Sequence, residues 1–96
     1  MFVMIRKYAG CPNAQEVSRR FEPLAQGFNN LPGLKSYGMV DAGDGQFLTV
    51  GLFDTRDQAM QSVEVARSLI QEHDFAVLLP NPPEIIMGEV LRLHRN

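Results

Sequence analysis

Apolar and polar positions alternate with different periods along the chain, and each period predicts an element. Met1 to Tyr8 is dense in β-branched and aromatic residues and ends at the turn-forming AGCPN, so we predict a first strand. Asn13 and Glu16 have capping-box spacing, and apolar residues then recur every three or four positions through Phe28, which predicts a helix. Pro23 falls opposite this apolar stripe, and we expect it to bend the helix without ending it.

The middle of the chain predicts a hairpin, and the remainder predicts a helix and a last strand. LKSYGMVDA and QFLTVGLFD are strand-like runs on either side of Gly43, Asp44 and Gly45. After a second capping-box spacing, an apolar stripe predicts a helix to about Leu78, with Ala59, Val63, Ala66, Ile70 and Val77 on its inner side. PNPPE ends that helix because the residue before a proline disfavours helical geometry, and EIIMGEVLRLH then predicts the fourth strand.

The predicted order β-α-β-β-α-β is that of a ferredoxin-like α+β domain, which we expect to occupy residues 1–96 as a single unit. In this fold both helices cover one face of an antiparallel sheet. The third and fourth predicted strands are apolar on both alternations, so the opposite face of the sheet would be a large apolar patch in a monomer. We therefore predict a homodimer joined sheet to sheet.

Composition and charge argue against several classes of partner. The net charge is −2 and the basic residues are scattered, so we expect no nucleic-acid partner. The apolar runs are far shorter than the roughly 20 residues of a membrane-spanning helix, so we expect no membrane association. A single cysteine and no secretory leader pattern predict a cytoplasmic protein.

VDAGDGQF lacks the ligand spacing of a calcium loop and the third glycine of a dinucleotide loop, so we interpret it as a hairpin turn and expect no metal.

The stretches IRKYAG, LPGLKSYGMVDAGDG, VGLFDTRDQA and PNPPEIIMGEV resemble the antibiotic-biosynthesis-monooxygenase-like dimeric α+β barrels, in particular their small bacterial members. The resemblance implies a barrel formed by the sheets of two subunits, with a small-molecule pocket between each sheet and its own helices. Activities in the wider superfamily include cofactor-independent monooxygenation of quinol-like aromatic compounds, haem degradation, and isomerisation or decarboxylation of small rings. The oxygenase and haem-degrading branches typically use a tryptophan, which this chain lacks.

Charged and phenolic side chains on the predicted strands are the first candidates for ligand binding. Arg6 and Glu89 stand among apolar residues of neighbouring strands, so they can pair with each other or line the barrel. Alternatively, Arg6 can contact a substrate carboxylate or an oxyanion. Tyr8 and Tyr37 can each donate a hydroxyl to a ligand, although buried tyrosines also serve packing alone.

Glycines inside the hairpin strands are the second group of candidates. A two-residue turn at Asp44 and Gly45 would place Gly38 opposite Gly51 and clear a patch of the sheet. That patch is either a contact surface for a helix or the floor of a pocket for a flat ligand, with Phe47 and Phe53 as its walls.

His73 continues the apolar stripe of the second predicted helix, so we expect it to face the cleft as a packing residue, an acid or base, or a haem ligand.

Three functions remain open. They are a cofactor-independent monooxygenase acting on a small planar aromatic compound, a non-catalytic dimeric small-molecule-binding or stress-related module, and a haem-binding variant that uses His73. We predict no bound cofactor for the first, and the sequence does not identify catalytic residues.

Overall fold

The computed structural model describes residues 1–95. Four strands form one antiparallel sheet in the order β2-β3-β1-β4: β1 (Phe2–Tyr8), β2 (Leu34–Gly43), β3 (Gln46–Phe53) and β4 (Glu84–Glu89). The helices are α1 (Ala14–Phe21), α2 (Ala25–Asn29) and α3 (Arg56–Glu72). The predicted ferredoxin-like α+β fold is confirmed. Within this described range, none of the helices has the length and apolar character needed to cross a membrane.

The first helical segment is interrupted at Pro23, and the prediction of a continuous bent helix was wrong. α1 ends at Phe21, a 3₁₀ turn covers Glu22–Leu24, and α2 follows it. Proline has no N–H to donate to the preceding turn and its ring crowds that turn, so a tighter hydrogen-bonding pattern takes over. The apolar stripe faces the core on both sides of the break, because Val17 and Phe28 are both buried.

α3 begins as predicted and ends earlier than predicted. Thr55 and Gln58 form the capping box, each accepting a hydrogen bond of 3.2 Å from the backbone N–H of the other. The helix ends at Glu72, and Asp74 has a positive φ of 59° that redirects the chain. Val77 is therefore off the helix and 75% exposed, so its assignment to the inner stripe was wrong.

The residues after Asp74 contribute to the core without being part of α3. Phe75, Leu78 and Leu79 are buried, and the chain then runs through a proline-rich segment, residues 80–83, into β4. β4 ends at Glu89, before the predicted limit at His94, and Leu91 is 92% exposed.

The hairpin turn has the predicted residues, but a bulge in β2 comes directly before it. Gly43, Asp44 and Gly45 have φ values of 80°, 53° and 75°, the left-handed conformations that a tight hairpin requires. Ala42 is an extra residue between two ladder positions, and the Asp41 carboxylate accepts a hydrogen bond of 3.0 Å from the Gly43 N–H across it.

This bulge changes the pairing of β2 with β3. Tyr37 lies opposite Gly51, and Gly38 lies opposite Val50. The predicted pair of Gly38 with Gly51 was wrong because a shift of one residue moves every side chain of a strand to the other face.

Strand alternation divides the sheet into a helix-covered face and an uncovered face. The covered face carries the buried residues of β1 and β3: Met4, Arg6, Tyr8, Phe47, Thr49 and Phe53. The uncovered face carries apolar side chains that remain partly or well exposed, namely Val3, Ile5, Leu48, Val50, Leu52 and Ile86.

Two clusters of buried residues lie between the sheet and the helices. The Phe53 cluster consists of Met4, Phe53 and Ala59. The Phe47 cluster is larger and lies at the other end of β1; it consists of Tyr8, Cys11, Val17, Phe47, Phe75, Leu78 and Leu79. Arg6 lies on β1 between Met4 of the first cluster and Tyr8 of the second.

Candidate functional site

Arg6 is a charged residue in the interior, with 3% of its surface exposed. The alternation of β1 directs it to the covered face, and the sheet register places it between Thr49 of β3 and Ile85 of β4. Arginine is rarely buried unless its charge is paired, so its surroundings determine what the site can do.

The Arg6 guanidinium has only neutral neighbours. Its Nη2 donates a hydrogen bond of 3.2 Å to the Tyr37 hydroxyl, and its central carbon lies 5.8 Å from the centre of the Phe28 ring. Its Nε is enclosed and meets no acceptor among residues 1–95. The ion pairs formed within that range do not include Arg6. The interior therefore holds a positive charge and an N–H donor that nothing described compensates.

Of the roles that the sequence left open for Arg6 and Glu89, an ion pair between them does not form. In the β1–β4 ladder Glu89 lies opposite Phe2, at the far end of β1, and its side chain is exposed. The sequence indicated that both charges belong to neighbouring strands, but the register separates them.

An inner cavity of about 40 Å³ lies next to Arg6, between the sheet and the helices. Its walls include six aromatic residues: Tyr8, Phe21, Phe28, Tyr37, Phe47 and Phe75. The rings of Phe21, Phe28 and Tyr37 contact one another, with 4.4 Å between the ring centres of Phe28 and Tyr37. A space of this size holds roughly one or two water molecules and is too small for an aromatic ring system.

A larger groove of about 320 Å³ adjoins the inner cavity. It lies between α3, residues 79–83 and Ile85, and it shares Arg6, Tyr8 and Ile70 with the cavity. The Asn81 side-chain amide donates a hydrogen bond of 3.0 Å to the Ala9 carbonyl and so fixes the outer wall against the end of β1. Arg6 is thus the polar group at the junction between groove and cavity.

Two phenols supply further hydrogen-bonding capacity at this junction. Burial raises the pKa of the Tyr8 hydroxyl, and the Arg6 charge opposes this shift only in part, so the hydroxyl is protonated at neutral pH and can donate. The Tyr37 hydroxyl accepts from Arg6 and retains its own proton for another acceptor. The arrangement is suited to receive an anion or an electron-rich oxygen.

The structure brings together three of the predicted site residues and separates the others from them. Arg6, Tyr8 and Tyr37 line the same cavity. Phe53 lies in the other buried cluster and lines neither the cavity nor the groove, so it is not the pocket wall that we predicted. Gly38 lies on the uncovered face, with open space where a side chain would project.

Gly51 is buried on the covered face, but it serves packing. A Cβ at this position would lie 2.9 Å from Cε2 of Phe53 and 3.6 Å from Cδ1 of Tyr37. The missing side chain therefore makes room for two aromatic rings that belong to the protein. The sequence left open a contact surface for a helix or a pocket floor, and the space is instead filled by two side chains of the sheet itself.

His73 is exposed and lines neither the cavity nor the groove. The prediction that it faces the cleft was wrong because α3 ends at Glu72, and His73 is its C-terminal cap with a non-helical backbone. Phe75 takes the inward position instead. An axial haem ligand or an acid or base at residue 73 therefore has no support from the site.

Several lining residues were not predicted from the sequence. Thr49, opposite Arg6, follows Phe47 by two positions and could have been found from the alternation of β3. Arg67 and Gln71 line the groove but lie beside the apolar stripe of α3, so the stripe gave no signal for them. In the described part of the chain, no group of three or more His, Cys, Asp or Glu side chains could hold a metal ion.

Comparison with known proteins supports the fold. No family model matches the sequence, and no curated protein matches it. Among solved structures, a protein of unknown function from Nitrosomonas europaea superposes with a TM-score of 0.77 at 16% identity, covering 99% of this chain and 93% of the other. A second Nitrosomonas europaea protein, named for antibiotic biosynthesis monooxygenases, superposes with a TM-score of 0.71 at 17% identity, covering 96% and 100%.

A third similar structure is a monooxygenase from Streptomyces coelicolor in complex with the ligand nanaomycin D. It has a TM-score of 0.69 and 14% identity, and the match covers 96% of this chain and 92% of the other. The chain therefore has the fold of the antibiotic-biosynthesis-monooxygenase-like proteins. At these identities the likeness concerns the fold, and the chemistry must be argued from the site.

Proposed function

We propose that this protein binds a small planar aromatic compound between its sheet and its helices and oxidises it with O₂ as a cofactor-independent monooxygenase. The observation that carries the proposal is the buried Arg6 guanidinium, flanked by the Tyr8 and Tyr37 hydroxyls beside an aromatic-lined cavity. The shared fold of monooxygenases adds support at the level of architecture.

The residues of the site match what such a reaction requires. In oxygenation without a cofactor, the deprotonated, electron-rich ring reduces O₂. A ring C–H bond is replaced by C=O, and the second oxygen atom leaves as water with the two hydrogens that the substrate gives up. A preorganised cation and hydroxyl donors stabilise the developing oxyanion, which is the role we give to Arg6, Tyr8 and Tyr37. In the described chain, neither the cavity nor the groove has an Asp, Glu or His in its lining. The proposal therefore requires a substrate with an acidic hydroxyl, because no carboxylate or imidazole is present to remove a weakly acidic proton.

Oxygen consumption tests the catalytic proposal. With a panel of hydroxynaphthalenes and quinols, the wild-type protein should accelerate O₂ uptake above the uncatalysed rate, and Arg6→Gln should lower this activity by about 10²-fold, the typical loss for one oxyanion donor. Arg19→Gln is the matched control, since Arg19 is an exposed arginine on α1 and should leave uptake unchanged. Uptake equal to that of buffer across the panel would contradict catalysis.

A second candidate function is a non-catalytic small-molecule-binding module. The observation that favours it is the size of the inner cavity, about 40 Å³, which is too small to enclose an aromatic ring together with O₂. This function predicts that the same aromatic compounds bind and quench or shift in fluorescence without any oxygen uptake. Measuring binding and O₂ consumption on the same samples separates the two functions.

We also propose that the uncovered face of the sheet joins two copies of the chain. The support is the set of apolar side chains on this face, which includes Ile5 and Val50 at the centre of the sheet. Light scattering coupled to gel filtration should give twice the 10.8 kDa chain mass for the wild type and the chain mass for Val50→Lys. Met60→Lys, on the exposed side of α3, should remain dimeric. A monomeric wild type at micromolar concentration would contradict the proposal.

The cytoplasmic location stays a prediction from the sequence.

A further inference from the structure

The groove beside Arg6 carries positive charge and no negative charge. Among its described lining residues are two arginines, Arg6 at the inner end and Arg67 at the rim, and no aspartate or glutamate. Arg67 lies 3.5 Å from Glu64 on the same helix, but both side chains are well exposed and such pairs are weak in water. In a chain with a net charge of −2, this is a local concentration of positive charge.

Arg6, at the inner end of the groove, also has an unsatisfied hydrogen-bond donor. The Nε of Arg6 is enclosed without a partner, and its Nη2 is held by Tyr37. A carboxylate matches the edge of a guanidinium with two parallel hydrogen bonds, which a neutral carbonyl or hydroxyl cannot do. The Tyr8 hydroxyl, kept protonated because burial raises its pKa, is a further donor in the lining of the same groove.

The outer part of the groove fits the apolar body of a ligand. Val63 and Ile70 of α3 form one wall, and Pro80, Pro82 and Pro83 form the opposite wall. Prolines restrict their own backbone, and the hydrogen bond from Asn81 to Ala9 ties this wall to the sheet, so the groove is formed before a ligand arrives. Its volume of about 320 Å³ lies within the range of small-ligand sites, whereas the inner cavity of about 40 Å³ lies far below it.

We propose that this groove selects an aromatic carboxylic acid in its anionic form, with the carboxylate on Arg6 and the ring between α3 and the proline wall. The inference rests on the proposed function, because it specifies the charge of the ligand and the side from which the ligand enters. It adds that an acid is preferred over a neutral compound with the same ring.

A matched pair of fluorescent probes tests this preference. 1-Hydroxy-2-naphthoate and 1-hydroxy-2-naphthamide share a ring and a hydroxyl and differ in charge, and the chain has no tryptophan to interfere with their fluorescence. In titrations of the wild-type protein we expect the acid to bind at least about tenfold more tightly than the amide, since hydrogen bonds to a charged group are about twice as strong as neutral ones.

Variants show which arginine is responsible. Arg6→Gln should reduce the affinity for the acid to that for the amide and leave the affinity for the amide within about twofold of the wild type. Arg67→Gln should weaken acid binding by about twofold at low salt and less at high salt, because its charge is exposed. Arg19→Gln, remote from the groove, should change neither affinity.

Each outcome decides the inference. Equal affinity of the wild type for acid and amide would overturn the anion preference while leaving the proposed aromatic binding intact. Failure of both probes to bind would overturn both proposals. An acid preference that persists in a folded Arg6→Gln protein, judged by its circular dichroism, would overturn the assignment to Arg6. The ratio of the two affinities in the wild type needs no variant and stands as a test even if Arg6→Gln does not fold.

Discussion

The two ends of the sheet-helix core are built in opposite ways. At the Phe53 cluster the interior is closed: Phe53 and Ala59 are buried, and the Phe53 ring fills the space beside Gly51. Met4 is the residue of β1 in this cluster. Two positions after Met4, the same face of the sheet carries Arg6 and opens into a cavity and a groove.

This difference supports the proposal that the Arg6 end binds a ligand. A chain of this length buries a limited core, so a small protein gains most from filling its interior completely. A buried cation without a counter-charge lowers stability, and so does unfilled space beside it. Residues that break local rules of stability tend to mark function, and here they lie together at the Arg6 end.

Truncation of an aromatic ring should have the largest effect, and the effect should differ between the two ends. Phe53→Ala should lower the free energy of unfolding by about 3–5 kcal/mol, because it leaves a cavity in a closed core. Phe21→Ala should lower it by less than about half as much, since Phe21 is partly exposed and already borders open space. Urea denaturation followed by circular dichroism measures both. Equal losses would show that the two ends are packed alike.

Replacing Arg6 by an apolar residue should have the opposite sign. Arg6→Met removes a buried, uncompensated charge and keeps a side chain of similar length, so we expect the free energy of unfolding to rise by about 1–3 kcal/mol. Arg19→Met, on the exposed face of α1, should change it by about 0.5 kcal/mol or less. A loss of stability in Arg6→Met would mean that the guanidinium is a structural element of the core.

The two glycines on opposite faces of the hairpin give a smaller contrast. Gly51→Ala should destabilise the protein by about 1–3 kcal/mol, because the new Cβ would lie 2.9 Å from the Phe53 ring. Gly38→Ala meets open space in a strand and should be neutral or stabilising by up to about 1 kcal/mol. Similar effects at both positions would contradict the register set by the bulge.

The smallest expected effect is a pH dependence of the free energy of unfolding, which arises from Tyr8 at the Arg6 end of the core. The pKa of Tyr8 is raised in the folded protein above its ordinary value of 10.0, chiefly by burial. Below pH 10 the hydroxyl is protonated in both states; above pH 10 the unfolded state loses the proton more readily, so stability falls as pH rises. The stability of the wild type relative to Tyr8→Phe should therefore be lower at pH 11 than at pH 8. A difference that does not change with pH would place Tyr8 in a solvated environment.

The sequence predicted best where local pattern and tertiary structure agree. Uninterrupted alternation along β1 identified Arg6 and Tyr8 as residues of one face, and capping-box spacings located the starts of two helices. The predictions failed where one local irregularity changed which side of an element the following side chains face. The extra residue Ala42 moved Gly38 to the other face, and the end of α3 at Glu72 took His73 out of the cleft.

The outer wall of the groove could not be predicted from local pattern at all. Its position depends on the hydrogen bond between Asn81 and Ala9, which are 72 residues apart in the chain. The isolation of Arg6 from Glu89 is also a matter of register, which composition and spacing do not determine.

The most direct test of the account is the free energy of unfolding of the wild type and of Arg6→Met, each measured with and without saturating 1-hydroxy-2-naphthoate. The account predicts that Arg6→Met is at least as stable as the wild type without the probe. With the probe at one hundred times the wild-type dissociation constant, the wild type should gain about 2.7 kcal/mol, and Arg6→Met, which should bind about tenfold more weakly, should gain only about 1.4 kcal/mol. A variant that is less stable than the wild type and gains as much from the probe would contradict the claim that Arg6 is there to bind an anion.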